Sequence, residues 1–297
     1  MNSSSDQKPN EPIAPGLYLV ATPIGNLEDI TLRALRILRT ADRIACEDTR
    51  QTQKLLNHFE IRTPTVSYHM HNEGPRTEEL IEQLKQGSRI AVVSDAGTPG
   101  IADPGGQIAT AAIAVGIPVF PIPGANAAIS ALIASGLPTE SFTFHGFLPA
   151  KAGQRKTFLE ALSQLPHGTT HIFYEAPHRI LETLADIESV FSPTQPVVIA
   201  RELTKLHEEF LRGPVSNLRS QLATRPSIRG EIVLLLSPTT AENPTASQRT
   251  SIAAEVTSLM QSENLTEKEA LKRVARDRGI GKSEAYRELQ REQNRKR

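Results

Sequence analysis

Apolar positions recur along this chain in two rhythms. Short β-branched runs stop at small, flexible residues, and a helix-like pattern follows each. LYLVATPIGNLEDI, residues 17–30, and RIAVVSDAGTPGIADPGG, residues 89–106, show it most clearly. Strands are expected at 17–21, 43–46, 66–69, 89–94 and 117–121, and helices at 29–40, 50–58, 76–86, 105–115 and 125–135. The first helix puts Ile30, Ala34, Ile37, Leu38 and Ala41 on one face, the spacing of an amphipathic helix lying on a sheet. Strands alternating with helices imply an α/β fold with a mainly parallel sheet covered on both sides.

Residues 136–156 read as a strand and loop between two halves. The second half continues with a helix at 153–164, a strand at 171–175, a helix at 178–189 and a strand at 196–200. Residues 206–215 look like an extended return, so this sheet is expected to be mixed. A helix at 215–223 and the apolar run GEIVLLL, 230–236, complete it. The division expected is a disordered leader at 1–15, an N-terminal α/β domain at 16–135, a second at 136–236, a polar linker at 237–250 and a helical module at 251–297.

Composition adjusts this picture in four places. The single cysteine, Cys46, rules out a disulfide framework, argues against a thiolate zinc site and fits a reducing cytoplasm. The polar, Pro-rich N-terminus lacks the apolar core of a secretory signal. The uncharged stretch from Pro104 to Thr139 is long enough to suggest a membrane span, but prolines and glycines break it into helix, strand, turn and helix. The net charge of zero hides an asymmetry: residues 264–297 carry 11 Lys/Arg against six Asp/Glu. A basic tail on a mildly acidic body suits a polyanionic partner, or else a solvated helical face. Within it, Thr266 and Glu269 make a capping box, Ala270, Val274 and Ala275 face inward, Gly279 and Gly281 end the helix, and Ser283 caps the next. Arg273, Arg276, Lys282 and Arg287 are positioned for phosphates if this pair is a helix-turn-helix; the alternative is a packing or dimerisation module.

Neither GxxxxGK[ST] nor GxGxxG is present, so the common nucleotide loops are excluded. Candidate chemistry gathers instead where strands end. DAGTPG, 95–100, offers Asp95 and the backbone of Ala96 and Gly97. PGANAAISAL, 123–132, offers Asn126 as a helix cap facing the same crevice. CEDTRQT, 46–52, places Glu47, Asp48 and Arg50 after a short strand, with Asp48 a candidate cap. FYEAPHR sets Glu175 and Arg179 around one turn, and ARELTK sets Arg201, Glu202 and Lys205 at another; both suit a charged ligand or structural ion pairs. His69, His71 and Glu73 in YHMHNE lack the pattern of a metal site.

VATPIGNLEDI, EDTR, SYHMHNE, SDAGTPGIADPG, PGANAAISAL, FHGFLP, FYEAPHR and GEIVLLL follow one another in this order. Together they closely resemble the ribosomal RNA small subunit methyltransferase I family, of the tetrapyrrole-methylase fold class. Met70 departs from it, standing where the family often has an acidic residue. The resemblance implies two α/β domains with S-adenosylmethionine in the cleft between them, plus a small C-terminal helical module. It implies methyl transfer to the ribose 2′-hydroxyl of a cytidine in the decoding region of 16S rRNA within the 30S subunit, by a cytoplasmic homodimer that needs no metal. Carried over by motif, Pro23 and Gly25 belong to the first cofactor turn, Asp95, Ala96, Gly97 and Ile101 to the second, and Asn126 and Ala127 to the third. Tyr174, Glu175, Leu203, Gly230, Glu231 and Ile232 form the second domain's wall. For catalysis the expectation is Glu47, Asp48 and Arg50, with Asp48 as base or orienter and Arg50 on phosphate or the oxyanion. Arg155, Lys156 and the basic tail are expected to hold RNA, with Arg179 and Lys205 as further substrate contacts. A methylase of a tetrapyrrole or other small molecule, and a ligand-sensing regulator that binds DNA, are the competing readings.

Overall fold

The computed structural model describes residues 13–165, 168–238, 252–263, 265–277, 285–287 and 289–290. Five strands form the first sheet: β1 (Gly16–Val20), β2 (Arg43–Cys46), β3 (Thr65–Ser67), β4 (Arg89–Val93) and β5 (Val119–Ile122). Their order is β3-β2-β4-β1-β5 and every pairing is parallel. Alternate side chains serve opposite layers. Tyr18 and Val20 meet Ala34, Leu38 and Leu56, from α1 (Leu32–Thr40) and α2 (Thr49–His58). Leu17, Ile90 and Val92 meet Leu80, Leu84 and Ile108, from α3 (Glu73–Lys85) and α4 (Gly106–Ala114). The edge strand β5 carries Pro121 in its middle, a residue that sheets admit at their edges.

Local chemistry explains where element ends depart from expectation. α1 starts at Leu32 rather than at 29, because Thr31 accepts the Ala34 amide at 3.0 Å. The residues before it, Leu27–Asp29, form a 3-10 turn capped by Asn26. α3 starts three residues early, at Glu73, which puts Pro75 in the first turn, where a proline removes no helical bond.

The second sheet contains β6 (Phe142–Phe147), β7 (Thr170–Glu175), β8 (Pro196–Arg201), β9 (Glu209–Pro214) and β10 (Ile232–Leu236), in the order β6-β7-β10-β8-β9. It is mixed: β6 runs parallel to β7 and all other pairs are antiparallel. β10 is central and wholly buried, as its unbroken apolar run requires. One face packs on α6 (Ala152–Ser163), α7 (Ile180–Val190) and α8 (Val215–Ala223). The other packs on α5 (Ala127–Ser135), which thus joins the two halves through Ala128, Ala131 and Leu132. Arg212, on β9, donates to the Ser135 and Ala134 carbonyls at 3.0 and 2.7 Å and closes the carboxyl end of α5. Both sheets belong to one compact unit that ends at Thr239.

A second unit begins at Thr240. In it α9 (Ile252–Glu263) and α10 (Glu267–Asp277) pack through Val256, Ala270 and Val274. Glu269 accepts the Thr266 amide at 3.0 Å, which is one half of the capping box; the Thr266 hydroxyl donates to the same carboxylate at 2.6 Å instead of accepting a helix amide. Gly279, Gly281, Lys282 and Ser283 lie outside the described residues, as does most of the expected leader and linker. No helix among the described residues is long and apolar enough to cross a membrane.

Arg155 corrects one expectation outright. Its side chain is 1% exposed, and it joins α6 to α7 by donating to Asp186 at 2.7 Å and Glu182 at 3.4 Å. A guanidinium enclosed this way cannot reach a phosphate; Lys156 beside it is exposed. Replacing Arg155 by Met strands the half-enclosed Asp186 carboxylate. Arg155→Met is expected to lower stability by about 2 kcal/mol in urea unfolding, below the range for fully buried pairs because Glu182 is exposed.

Candidate functional site

The carboxyl ends of β1 and β4 and the start of α5 open onto a cavity of about 430 Å³, and the second sheet forms its far wall. A crevice at the carboxyl ends of parallel strands is where open α/β sheets hold ligands. From the first half, Asp95, Ala96, Gly97, Ile101, Asn126 and Ala127 line it, as expected from the sequence. From the second, Tyr174, Glu175, Leu203, Glu231 and Ile232 do.

Pro23, Gly25 and Gly230 do not line it, and two of them have another task. A Cβ at Gly25 would collide with the Lys205 stem, and one at Gly230 with the Glu202 side chain. Gly25 therefore permits the first turn to lie against the second half, where the Asn26 amide donates to Thr204 Oγ1 at 3.1 Å. Gly230, at φ +89°, makes room for Glu202.

The turns hold one another in place. Thr22 and Gly97 exchange backbone hydrogen bonds of 2.8 and 3.1 Å, so the Gly97 backbone is engaged within the protein rather than open to a ligand. Thr98 Oγ1 donates to the Ala125 carbonyl at 3.0 Å, tying the second turn to the third. Asn126 caps α5, accepting the Ile129 amide at 3.1 Å. The Asp48 amide donates to Asp95 Oδ1 at 3.0 Å, tying in the turn after β2.

The carboxylates divide into those engaged by cations and those left among like charges. Glu175 is fully buried and accepts from the Ala176 amide at 2.7 Å and Thr183 Oγ1 at 2.6 Å. Arg179 Nη2 lies 2.8 and 3.1 Å from its two oxygens and also donates to the Leu148 carbonyl. Arg179 is thus a structural partner of Glu175. Lys205 is likewise held, donating to Glu202 at 2.9 Å and Glu231 at 3.0 Å. Asp48 caps α2 and grips Arg50 through both oxygens, which holds its carboxyl below the usual range. The Arg50 side chain is 88% exposed.

Asp103 behaves in the opposite way. It lines the cavity, and burial, together with Glu47 and Asp95 nearby, pushes its pKa up to about 6. Glu47 is also raised, by burial and by Asp95, with His69 pulling the other way. Asp103 was absent from the sequence expectations, although it lies in SDAGTPGIADPG. The loop turns back on itself through Gly100, at φ +82°, whose amide bonds the Pro104 carbonyl, and so returns this second acid to the first. Ala102, just before it, is held at φ +61°, a conformation costing about 1–2 kcal/mol for a residue with a Cβ. Strain of this kind concentrates at functional loops.

Residues 16–219 match the sequence profile of the Tetrapyrrole (Corrin/Porphyrin) Methylases. The chain is 50% identical over 276 residues to ribosomal RNA small subunit methyltransferase I of Halalkalibacterium halodurans, covering 91% of this chain and 93% of that protein. It is 46% identical over 273 residues to the protein of that name from Bacillus subtilis, covering 91% and 92%. Among solved structures, uroporphyrin-III-C-methyltransferase from Thermus thermophilus superposes with a TM-score of 0.53 at 24% identity, over 74% of this chain and 93% of that one. A diphthine synthase superposes with a TM-score of 0.56 at 15% identity, over 74% and 89%. These last two likenesses concern the fold.

The raised pKa of Asp103 has a consequence for stability. The folded chain binds this proton more tightly than the unfolded one, so stability falls as pH rises from 3.8 to about 6 and the cost persists above. Asp103→Asn is expected to stabilise the protein at pH 8 by roughly 1–2 kcal/mol, after discount for the half-exposed setting. The gain should vanish at pH 4; urea unfolding at the two pH values checks both points.

Proposed function

The chain belongs to the ribosomal RNA small subunit methyltransferase I family of tetrapyrrole methylases, and from that membership we propose that it methylates the ribose 2′-hydroxyl of a cytidine in the decoding region of 16S rRNA, using S-adenosylmethionine. The observation that carries this reading is the 50% identity sustained over 91% of the chain. The same membership supports the 30S subunit as the setting of the substrate, a homodimer and a cytoplasmic location.

The cavity suits this cofactor. Ile24, Ile101, Leu203 and Val233 give apolar walls for a flat heterocycle, and Asp95 and Asp103 give negative charge for a cationic ligand. When bound, S-adenosylmethionine supplies a methyl group on an already activated sulfonium. What the protein must add is position and a proton acceptor. A carboxyl held near pKa 6 is mostly ionised at neutral pH yet basic for its kind, which makes Asp103 the proton acceptor we assign for the 2′-hydroxyl. Asp48, held low by Arg50, is a weak base, and its part is to fix the turn after β2 against Asp95. The charge of Glu47 raises the basicity of Asp103. Lys156 and the basic helical module are assigned to the RNA phosphates, so binding weakens with salt.

Purified protein with labelled S-adenosylmethionine and unmodified 30S subunits is expected to label RNA, and digestion should release 2′-O-methylcytidine. Label in no nucleoside, with the cofactor still bound by calorimetry, would turn the assignment toward a small-molecule substrate. In the same assay kcat/KM should rise with pH through about 6 and then level off, because the base must be ionised in the free enzyme. Asp103→Asn should lower kcat by about 10²–10⁴-fold.

A further inference from the structure

Phe147 is 60% exposed and yet lines the cavity, so its ring stands at the mouth. β6 brings it there by an irregularity. Phe144 pairs with Ile172 on β7, but Phe147 pairs with Tyr174, so β6 holds one residue more than its partner over this step. Gly146, at φ +68°, sits in that bulge. In a strand of the same sequence without the bulge, strict alternation would put Phe147 on the face of His145, which stacks on Phe173 in the core beneath α6 and α7. With it, Phe147 returns to the cleft face shared by Phe144, Ile172 and Tyr174. Bulges beside active sites re-aim a side chain in this way. Tyr174 then orients both rings, edge-on to Phe144 at 4.9 Å and to Phe147 at 5.6 Å between centroids.

We propose that Phe147 is the platform on which the nucleobase of the target nucleotide stacks while its ribose is methylated. The inference rests on the RNA reading above and adds a binding subsite to it. A 2′-hydroxyl can be presented to an enclosed methyl donor only if its nucleotide leaves the surrounding stack, and that unstacking costs a few kcal/mol. An exposed aromatic face restores it, as in single-stranded RNA recognition generally. The apolar interior, from Ile24 to Leu203 and Val233, serves the cofactor. A ring at the mouth meets the reactant that comes from outside.

The test uses the full-length chain, 30S subunits and three variants: Phe147→Ala, Phe147→Leu and Phe147→Trp. Losing the ring should raise KM for the 30S subunit by about 5- to 150-fold in both Ala and Leu variants. Trp should stay within about threefold of the parent, because the π face is kept. The Kd for S-adenosylmethionine, by calorimetry, should stay within about twofold throughout. An unchanged KM in Phe147→Ala overturns the proposal, as does a Leu variant equal to the parent, which would mean simple apolar packing. A loss that appears in the cofactor Kd assigns the ring to the cofactor and overturns it too. If the parent chain labels no RNA, the RNA reading itself falls and the platform with it; a parent that labels normally beside a normal Ala variant removes the platform alone.

Discussion

Helix α5 is apolar on nearly every side, and the side that carries Ala128, Ala131 and Leu132 holds the two halves together. AAISALIAS contains no charge, and its Ala128, Ala131 and Leu132 are buried against β7, β8 and β10 of the other sheet. One side of the helix is covered by a sheet formed wholly of later residues, so the second half completes the first, while Ile129 and Ile133 on the other side stay exposed. Asn126 and Arg212 finish the two ends of the helix, one from each half. The cavity is what remains where this seam stops, and its walls are therefore as well fixed as the seam.

Within those walls charge is handled in two ways. Glu175 and Glu202 are each held by a cation or by a dense set of donors, and they build shape. Asp103 has carboxylates for neighbours instead, and its basicity is the result. The backbone shows the same division of labour. Ala102, Glu202 and Thr204 adopt left-handed conformations without being glycine, and all three lie on the loops that meet at the cleft. Stability given up at such points is recovered in the sheets on either side.

Much of this was legible in the sequence, because strands and helices of this kind follow from local patterning. The continuous run IVLLL, short and bounded by turn residues, reads as a strand covered on both faces, and it is one. The turns after β1 and β4 announced a crevice through their small residues. What escaped was set by distance in the chain. Arg155 and Lys156 are adjacent and look alike, but Glu182 and Asp186 on α7 enclose only the first. In the sequence Gly230 reads as part of the cleft, yet it is shaped by Glu202, 28 residues earlier. Asp103 needed the fold-back at Gly100 before it could be seen beside Asp95. Phe147 needed a register slip against a strand that begins more than 20 residues later.

That slip has a second effect, at the rim of the sheet. β6 is an edge strand, and a smooth edge is a template onto which another chain's strand can add. The bulge at Gly146 spoils the template. The other three edges are blunted too: β3 is only three residues long, β5 carries Pro121, and β9 ends at Gly213 and Pro214. The molecule thus resists the commonest route to β-aggregation at every sheet margin. Any association between copies is left to side-chain surfaces, where it can be selective and reversible, rather than to open backbone.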